Sequence, residues 1–266
     1  MSLITIENKK ILARQIEEII KEAGQFILHH KIEKVMEKGN ASNVVTNIDI
    51  QCQNLIIEKC KKVLPDSVFL AEEEGQQQIS EQFTWVIDPI DATTNYVYDF
   101  HHSCVSIGLY YQRKGLIGVV YNPYLDECFV GIDGIGSFCN GKAIHVSQHP
   151  FHEALIMIGT SPYDKHLAEI TFAIIKELFI EARDIRRSGS AALDLCYLAC
   201  GRIDAFYEQN LQPWDYGAGK IIIENTGGKI KALVENAFDE LKPTGVICSN
   251  GQCQERLAEI VLKYSR

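Results

Sequence analysis

A chain of 266 residues with 46% hydrophobic and 23% charged residues has the composition of an ordinary soluble globule, long enough to bury a sizeable core in one or two domains. Lys plus Arg total 26 against 35 Asp plus Glu, a formal charge of −9, which argues against a protein whose main work is gripping nucleic acid or an anionic membrane. No apolar run approaches the ~20 residues of a membrane helix, and the opening MSLITIENKK lacks the segments of a secretory signal, so a cytoplasmic protein is expected.

Apolar positions from Ile11 to Ile32 recur at helical spacing and predict a long amphipathic helix over 7–37, broken by the polar stretch 38–43. Val44, Val45 and Thr46 predict a short strand leading to Asp49 and a second helix through about Lys62. The apolar runs 68–71 and 84–87 read as strands that deliver carboxylates at their C-terminal ends. Between 103 and 147 the runs SCVSIGLYY, GLIGVVY, ECFVGI and AIHVS predict further strands, separated by turn signals such as Asp133-Gly134 and Asn140-Gly141. After about 150, strands at 155–158, 182–186 and 203–207 alternate with helices at 165–180, 189–199 and 214–226. Strands near 229 and 246 and a last helix from about 252 follow. Such alternation implies a sheet covered on both faces. No linker, repeat or low-complexity tract interrupts the chain, which predicts one domain over 1–266, α+β to about 147 and α/β from about 148.

The most informative segment is 85–96, where a hydrophobic strand ends in Asp88, Pro89 fixes one φ, and Asp91 follows just before the hydroxyls of Thr93 and Thr94. Two carboxylates at a strand-to-helix turn place hard oxygen ligands beside free backbone amides, a combination suited to Mg²⁺ and phosphate. The same spacing also fits an acid that ends a strand and another that caps a helix. Company sharpens the choice. Glu72, Glu73 and Glu74 end the preceding strand, where clustered like charges are costly without a cation or solvent. Pro213, Trp214 and Asp215 precede a helix, and Asp49 follows a strand, each with helix capping as the plain alternative.

Three stretches carry a family likeness: AEEEG at 71–75, WVIDPIDATTN at 85–95 and PWDYGAGKIIIENTGG at 213–228. Weaker agreement comes from VVTNID at 44–49, FCNGKAIHVS at 138–147 and RRSGSAALDLCYLACGRIDAFYE at 186–208. The sequence resembles the inositol monophosphatase family of Mg²⁺-dependent, lithium-sensitive phosphatases over nearly its whole length, with RRSGSAALDLC closer to bacterial members. The resemblance implies an α/β (α+β) fold, the layered αβαβα sandwich of the inositol monophosphatase and fructose-1,6-bisphosphatase type, and a homodimer. It implies two to three Mg²⁺ ions per site: Glu72 and Asp88 with the Ile90 carbonyl at the first, Asp88, Asp91 and Asp215 at the second, and Glu72 again at a weaker third. Thr93 and Asp49 match the pair that orients and deprotonates the attacking water, and the amides of Ala92 and Thr93 match the phosphate cradle. Asp91, Ala191 and Glu208, flanked by Gly189 and Ser190, match contacts to the inositol hydroxyls. The resemblance counts Asp215 among the substrate contacts as well, and Lys38 matches a position on a mobile loop that closes over the site.

Three positions depart from the family pattern. Ala92 replaces a glycine where phosphate approaches the backbone, Ala71 replaces the glycine usual before the acidic pair, and Arg187 replaces a serine found near substrate in animal enzymes. The expected activity is hydrolysis of inositol 1-phosphate or a similar small polyol phosphate. Alternatives are fructose 1,6-bisphosphate, 3′-phosphoadenosine 5′-phosphate or histidinol phosphate as substrate, or a non-catalytic protein associated with transcription machinery. Other features point to no second chemistry. The nine cysteines include no C-x-x-C and read as thiols of a reducing compartment, and Cys196 and Cys200 lack the further soft ligands zinc needs. His145, His149 and His152 are loosely spaced and read as surface residues, and Ser188-Gly189-Ser190 fits a helix N-cap or substrate contact better than a nucleophile elbow.

Overall fold

The computed structural model describes residues 5–39, 44–73 and 78–264. Helix α1 (Ile6–His29) is capped by Thr5, whose hydroxyl accepts the Asn8 amide, and buries Leu12, Ile16, Ile20 and Ile27 along one stripe. A two-stranded antiparallel ribbon follows, β1 (Val35–Glu37) with β2 (Val44–Thr46), and leads into α2 (Asn47–Val63). Next come β3 (Val68–Ala71), β4 (Phe83–Asp91), the short α3 (Thr93–Val97), β5 (Cys104–Tyr111), β6 (Lys114–Asn122), β7 (Glu127–Ile132), β8 (Gly136–Cys139) and β9 (Lys142–Ala143). These seven strands form one sheet in chain order, antiparallel except for the parallel pair β3 and β4.

The second sheet is built from β10 (Leu155–Ile158), α4 (Ala168–Glu181), β11 (Asp184–Arg186), α5 (Ala191–Ala199), β12 (Ala205–Leu211), α6 (Pro213–Glu224), β13 (Lys229–Ala232), α7 (Ala237–Glu240), β14 (Thr244–Ser249) and α8 (Gln254–Tyr264). Its strand order is β11-β10-β12-β14-β13, with β10 parallel to both neighbours and β14 antiparallel to both of its own.

Among the described residues, three large apolar cores stack the layers, and a smaller one of Leu70, Val86, Tyr110, Ile221 and Leu241 packs α6 on the first sheet. One joins α1 and α2 to a face of the seven-stranded sheet through Ile16, Ile56, Trp85 and Val119. A second places α5 and α6 between the sheets, with Val120 and Phe129 on one side and Phe206 and Cys248 on the other. A third covers the outer face of the five-stranded sheet with α4 and α8 through Ile156, Ile174, Tyr207 and Leu257. The order is α, β, α, β, α, the expected layered sandwich.

The middle layer sits unusually close to the first sheet. Gly108, Gly118 and Gly131 lie side by side on β5, β6 and β7, and α6 rests in the trough they leave. A Cβ on Gly118 would stand 2.3 Å from the Ala218 carbonyl oxygen, and one on Gly131 2.6 Å from the Ile222 Cα. The helix therefore meets the sheet backbone to backbone, which fixes the height of its N-terminal turn.

Several boundaries differ from the sequence expectation. The first helix stops at His29 rather than 37, because the Asn47 side chain accepts the amides of Glu33 and Lys34 and holds the following segment extended for pairing with β2. Strand β4 runs through Pro89 to Asp91 instead of ending at Asp88. The ladder shifts register between Asp88 and Asp91, an irregularity that accommodates a residue with no amide to donate. Of the run 143–147 only Ala143 pairs in a strand, and α5 begins at Ala191 because Ser190 caps it.

Candidate active site

Six chain segments meet at one place. Strand β4 supplies Asp88, Ile90 and Asp91, the end of β3 supplies Glu72, and the first turns of α2 and α6 supply Asp49 and Asp215. Strand β12 supplies Glu208, opposite the N-terminus of α5 with Ser190 and Ala191. The site residues singled out in the sequence line one cavity of about 760 Å³, except Asp49, which lies fully buried behind Thr93, and Glu73, which is buried beside Glu72. Glu74 and residues 40–43 lie outside the described residues.

One carboxylate oxygen from each of Asp88, Asp91 and Asp215 falls within 4.8 Å of the others. Each acid is held by donors. Asp88 Oδ1 accepts the Ile90 amide at 3.0 Å, and Asp215 Oδ2 accepts the Gln212 amide at 2.7 Å. Asp91 Oδ2 accepts the Ser190 hydroxyl and, at 3.1 Å, the Ala192 amide. These bonds orient the acids without neutralising them. Burial holds the Asp88 carboxyl well above the usual range, and the charges of Glu72, Asp91 and Asp215 push it further. Burial likewise raises Asp215, with Asp91 adding to it, and lifts Asp91 to about 6. Such a set of hard oxygen donors, costly when left as bare anions, fits a divalent cation.

Glu72 stands beside the trio rather than within it. Lys38 Nζ contacts Glu72 Oε1 at 3.0 Å and Glu73 Oε1 at 2.7 Å, so an ammonium offsets the acids at this edge. The two glutamates outweigh burial and raise the Lys38 pKa. The Gln53 amide clamps the strand end by donating to the Glu73 carbonyl and accepting its amide.

Thr93 Oγ1 lies 2.9 Å from Asp49 Oδ1 and 3.1 Å from the Ile90 carbonyl. Asp49 is itself fixed by Thr46, whose amide and hydroxyl both donate to Oδ2. The capping role considered for Asp49 is thus present, and its second oxygen serves Thr93 in addition. Burial raises the Asp49 carboxyl above its ordinary range, against the pull of these donors.

Ala92 precedes α3 at φ 70° and ψ 53°, a left-handed conformation that costs an L-residue about 1–2 kcal/mol. The Ser103 hydroxyl and the Tyr96 amide hold it there through its carbonyl oxygen. Ala92→Gly removes the strain but adds about 0.5–1 kcal/mol of chain entropy to lose on folding. Thermal stability is therefore expected within a few degrees of the parent, with turnover equal or higher. A collapse of turnover in a phosphate-release assay would mean the methyl belongs to the site.

At the far end of the cavity Glu208 is 8% exposed, its Oε1 accepting the Ser161 amide at 2.9 Å. Burial lifts its pKa to about 7. The side chain lies across Gly159, where a Cβ would stand 2.0 Å from Glu208 Cδ. Gly159→Ala should leave the fold intact, since only the end of a flexible side chain must move. It should raise KM for any ester that Glu208 grips by about tenfold, as measured by steady-state kinetics.

Sequence reasoning placed the acids and missed some of their partners. The tie from Ser190 to Asp91 spans 99 residues and has no local signature. Asp194 also lines the cavity, and its one signal was a lone acid inside the apolar run 191–196. All nine thiols are free, and no histidine joins a metal-ligand group among the described residues. No described helix is long and apolar enough to cross a membrane.

Comparison with known proteins gives these features a context. The model of the inositol monophosphatase family matches residues 5–266. Inositol monophosphatase 2 of Solanum lycopersicum is 40% identical over 233 residues, covering 84% of this chain and 87% of the relative. The solved structure of inositol monophosphatase from Anabaena (Nostoc) sp. PCC 7120 superposes with a TM-score of 0.84 at 30% identity, covering 96% and 97% of the two chains. Nus factor SuhB of Xylella fastidiosa is 35% identical over 213 residues, 78% of this chain and 77% of that one.

Proposed function

Since the chain belongs to the inositol monophosphatase family, we propose that it is a Mg²⁺-dependent phosphomonoesterase acting on inositol 1-phosphate or a similar small polyol phosphate. The observation that carries this is the approach of Asp88, Asp91 and Asp215 to within 4.8 Å, next to the Thr93–Asp49 hydrogen bond. Glu72, Asp88 and the Ile90 carbonyl would hold one ion, and Asp88, Asp91 and Asp215 a second. A weaker third would lean on Glu72. When bound, Mg²⁺ supplies positive charge that offsets the phosphate and lowers the pKa of nearby water.

The protein's own groups do the rest. With its proton directed to Asp49 Oδ1, Thr93 Oγ1 presents a lone pair to a water and orients it for in-line attack. Asp49, raised by burial, is the buried acceptor through which that proton leaves. The first amides of α3, at Ala92 and Thr93, face the phosphate because a helix start leaves its amides without intrahelical partners. Asp91, Ala191 and Glu208 meet the alcohol portion.

A relative named as a Nus factor supports a second reading, a role with transcription machinery. The intact acids favour catalysis. The deciding experiment is phosphate release by purified protein from inositol 1-phosphate, fructose 1,6-bisphosphate, 3′-phosphoadenosine 5′-phosphate and histidinol phosphate, with Mg²⁺ and with chelator. Mg²⁺-dependent release, greatest with inositol 1-phosphate, is expected. No release from any ester would overturn the phosphatase assignment.

A further inference from the structure

Asp194 is an acid that neither the acidic trio nor the water-orienting pair uses. It sits in the first turn of α5 at 2% exposure, between the buried Leu193 and Leu195. Capping does not explain it, because Ser190 already caps the helix by accepting the Leu193 amide at 3.3 Å. Oδ1 accepts the Ser188 hydroxyl at 2.7 Å, and no donor reaches Oδ2 among the described residues. Oδ2 is not among the fully buried side-chain atoms left without a partner, so it opens onto the cavity that Asp194 lines and is free to meet a ligand there.

Its surroundings say what that would be. Asp194 and Glu208 line the same cavity and feel each other's charge, and Arg187 at the same cavity offsets both. Burial raises both acids, Asp194 well above the usual range and Glu208 to about 7. A second phosphate would meet two acids here, and an ammonium would find its counter-charge already shared with Arg187. A hydroxyl suits both states of such an acid, because it donates to a carboxylate and accepts from a carboxylic acid.

We propose that Asp194 is a further specificity-determining residue, whose free Oδ2 hydrogen-bonds a hydroxyl group of the substrate beside the one that Glu208 meets. This rests on the phosphatase reading above and adds a residue to its substrate contacts.

The test compares kcat and KM for inositol 1-phosphate and for p-nitrophenyl phosphate, an ester without hydroxyls, in the Mg²⁺-loaded parent and in Asp194→Leu and Asp194→Asn. Leucine matches the flanking residues and asparagine keeps the shape, so at least one fold is expected to survive, as thermal melting will show. The ratio of kcat/KM for the two esters should fall about tenfold or more in the leucine variant and severalfold in the asparagine variant, mostly through KM for the inositol ester. The aryl ester should stay within about twofold. An unchanged ratio in a folded variant, or parallel loss on both esters, would overturn the assignment. So would a parent preference for histidinol phosphate that Asp194→Asn abolishes, since an amine would then be the group gripped. If the parent releases phosphate from neither ester, the phosphatase reading falls first and takes this one with it.

Discussion

Asp88→Asn is expected to lower turnover by at least about a thousandfold and, in chelated protein, to raise thermal stability. The first effect follows from removing charge shared by both proposed ion positions, a loss of several kcal/mol of transition-state stabilisation. The second follows from linkage. Asp88, Asp91, Asp215 and Glu208 all have folded pKa values raised by burial, with mutual repulsion added, Asp91 to about 6 and Glu208 to about 7. Groups raised in the folded state contribute stability that is present below their ordinary carboxylate range and lost as pH rises through the raised values. Chelated parent protein should therefore melt progressively lower as pH climbs from about 4 to about 8. Mg²⁺ should reverse the trend by binding the folded form, and Asp88→Asn should flatten it. Scanning the melting temperature over this range, with and without metal, checks both signs. A chelated parent more stable at pH 8 than at pH 5 would contradict the charge balance described.

Thr93→Val should lower kcat by about 10²–10⁴ while leaving KM within a few-fold, because in the proposed mechanism the hydroxyl orients a water and does not hold substrate. Thr93→Ser, which restores the hydroxyl that reaches Asp49 Oδ1, should recover most of the loss. Valine also removes the bond to the Ile90 carbonyl, so the serine variant separates lost chemistry from a displaced turn. Retention of kcat within tenfold in the valine variant would move water activation to another group.

Much of this site was legible because its acids sit where strands stop. The runs ending at Ala71 and at the β4 turn are apolar, short and followed at once by acids, and a carboxylate at such an end has no packing reason to be there. Asp215 was legible through Pro213 beside it, a residue suited to the first turn of a helix. What the pattern concealed has a common cause. The helical period continues past His29 as far as Ile32, which packs on the core although the backbone there is no longer helical. Helix α1 ends because of Asn47, a partner distant in sequence. Asp194 stands in the first turn of α5, where an acid is ordinary, and only its burial against the cavity sets it apart. Periodicity reports which face is apolar, and it carries no information about which distant side chain will compete for the backbone.

The glycine row on β5, β6 and β7 has a consequence for heritable change. Asp215 opens α6, and the height of α6 is set by Gly118 and Gly131, which contact its backbone directly. A single added methyl at either glycine would lift the helix like a shim under a bearing and draw the carboxylate away from Asp88 and Asp91. Among the residues least free to vary there should thus be some that touch neither ester nor ion, and mutational scans ranked by distance from the reaction centre would overlook them.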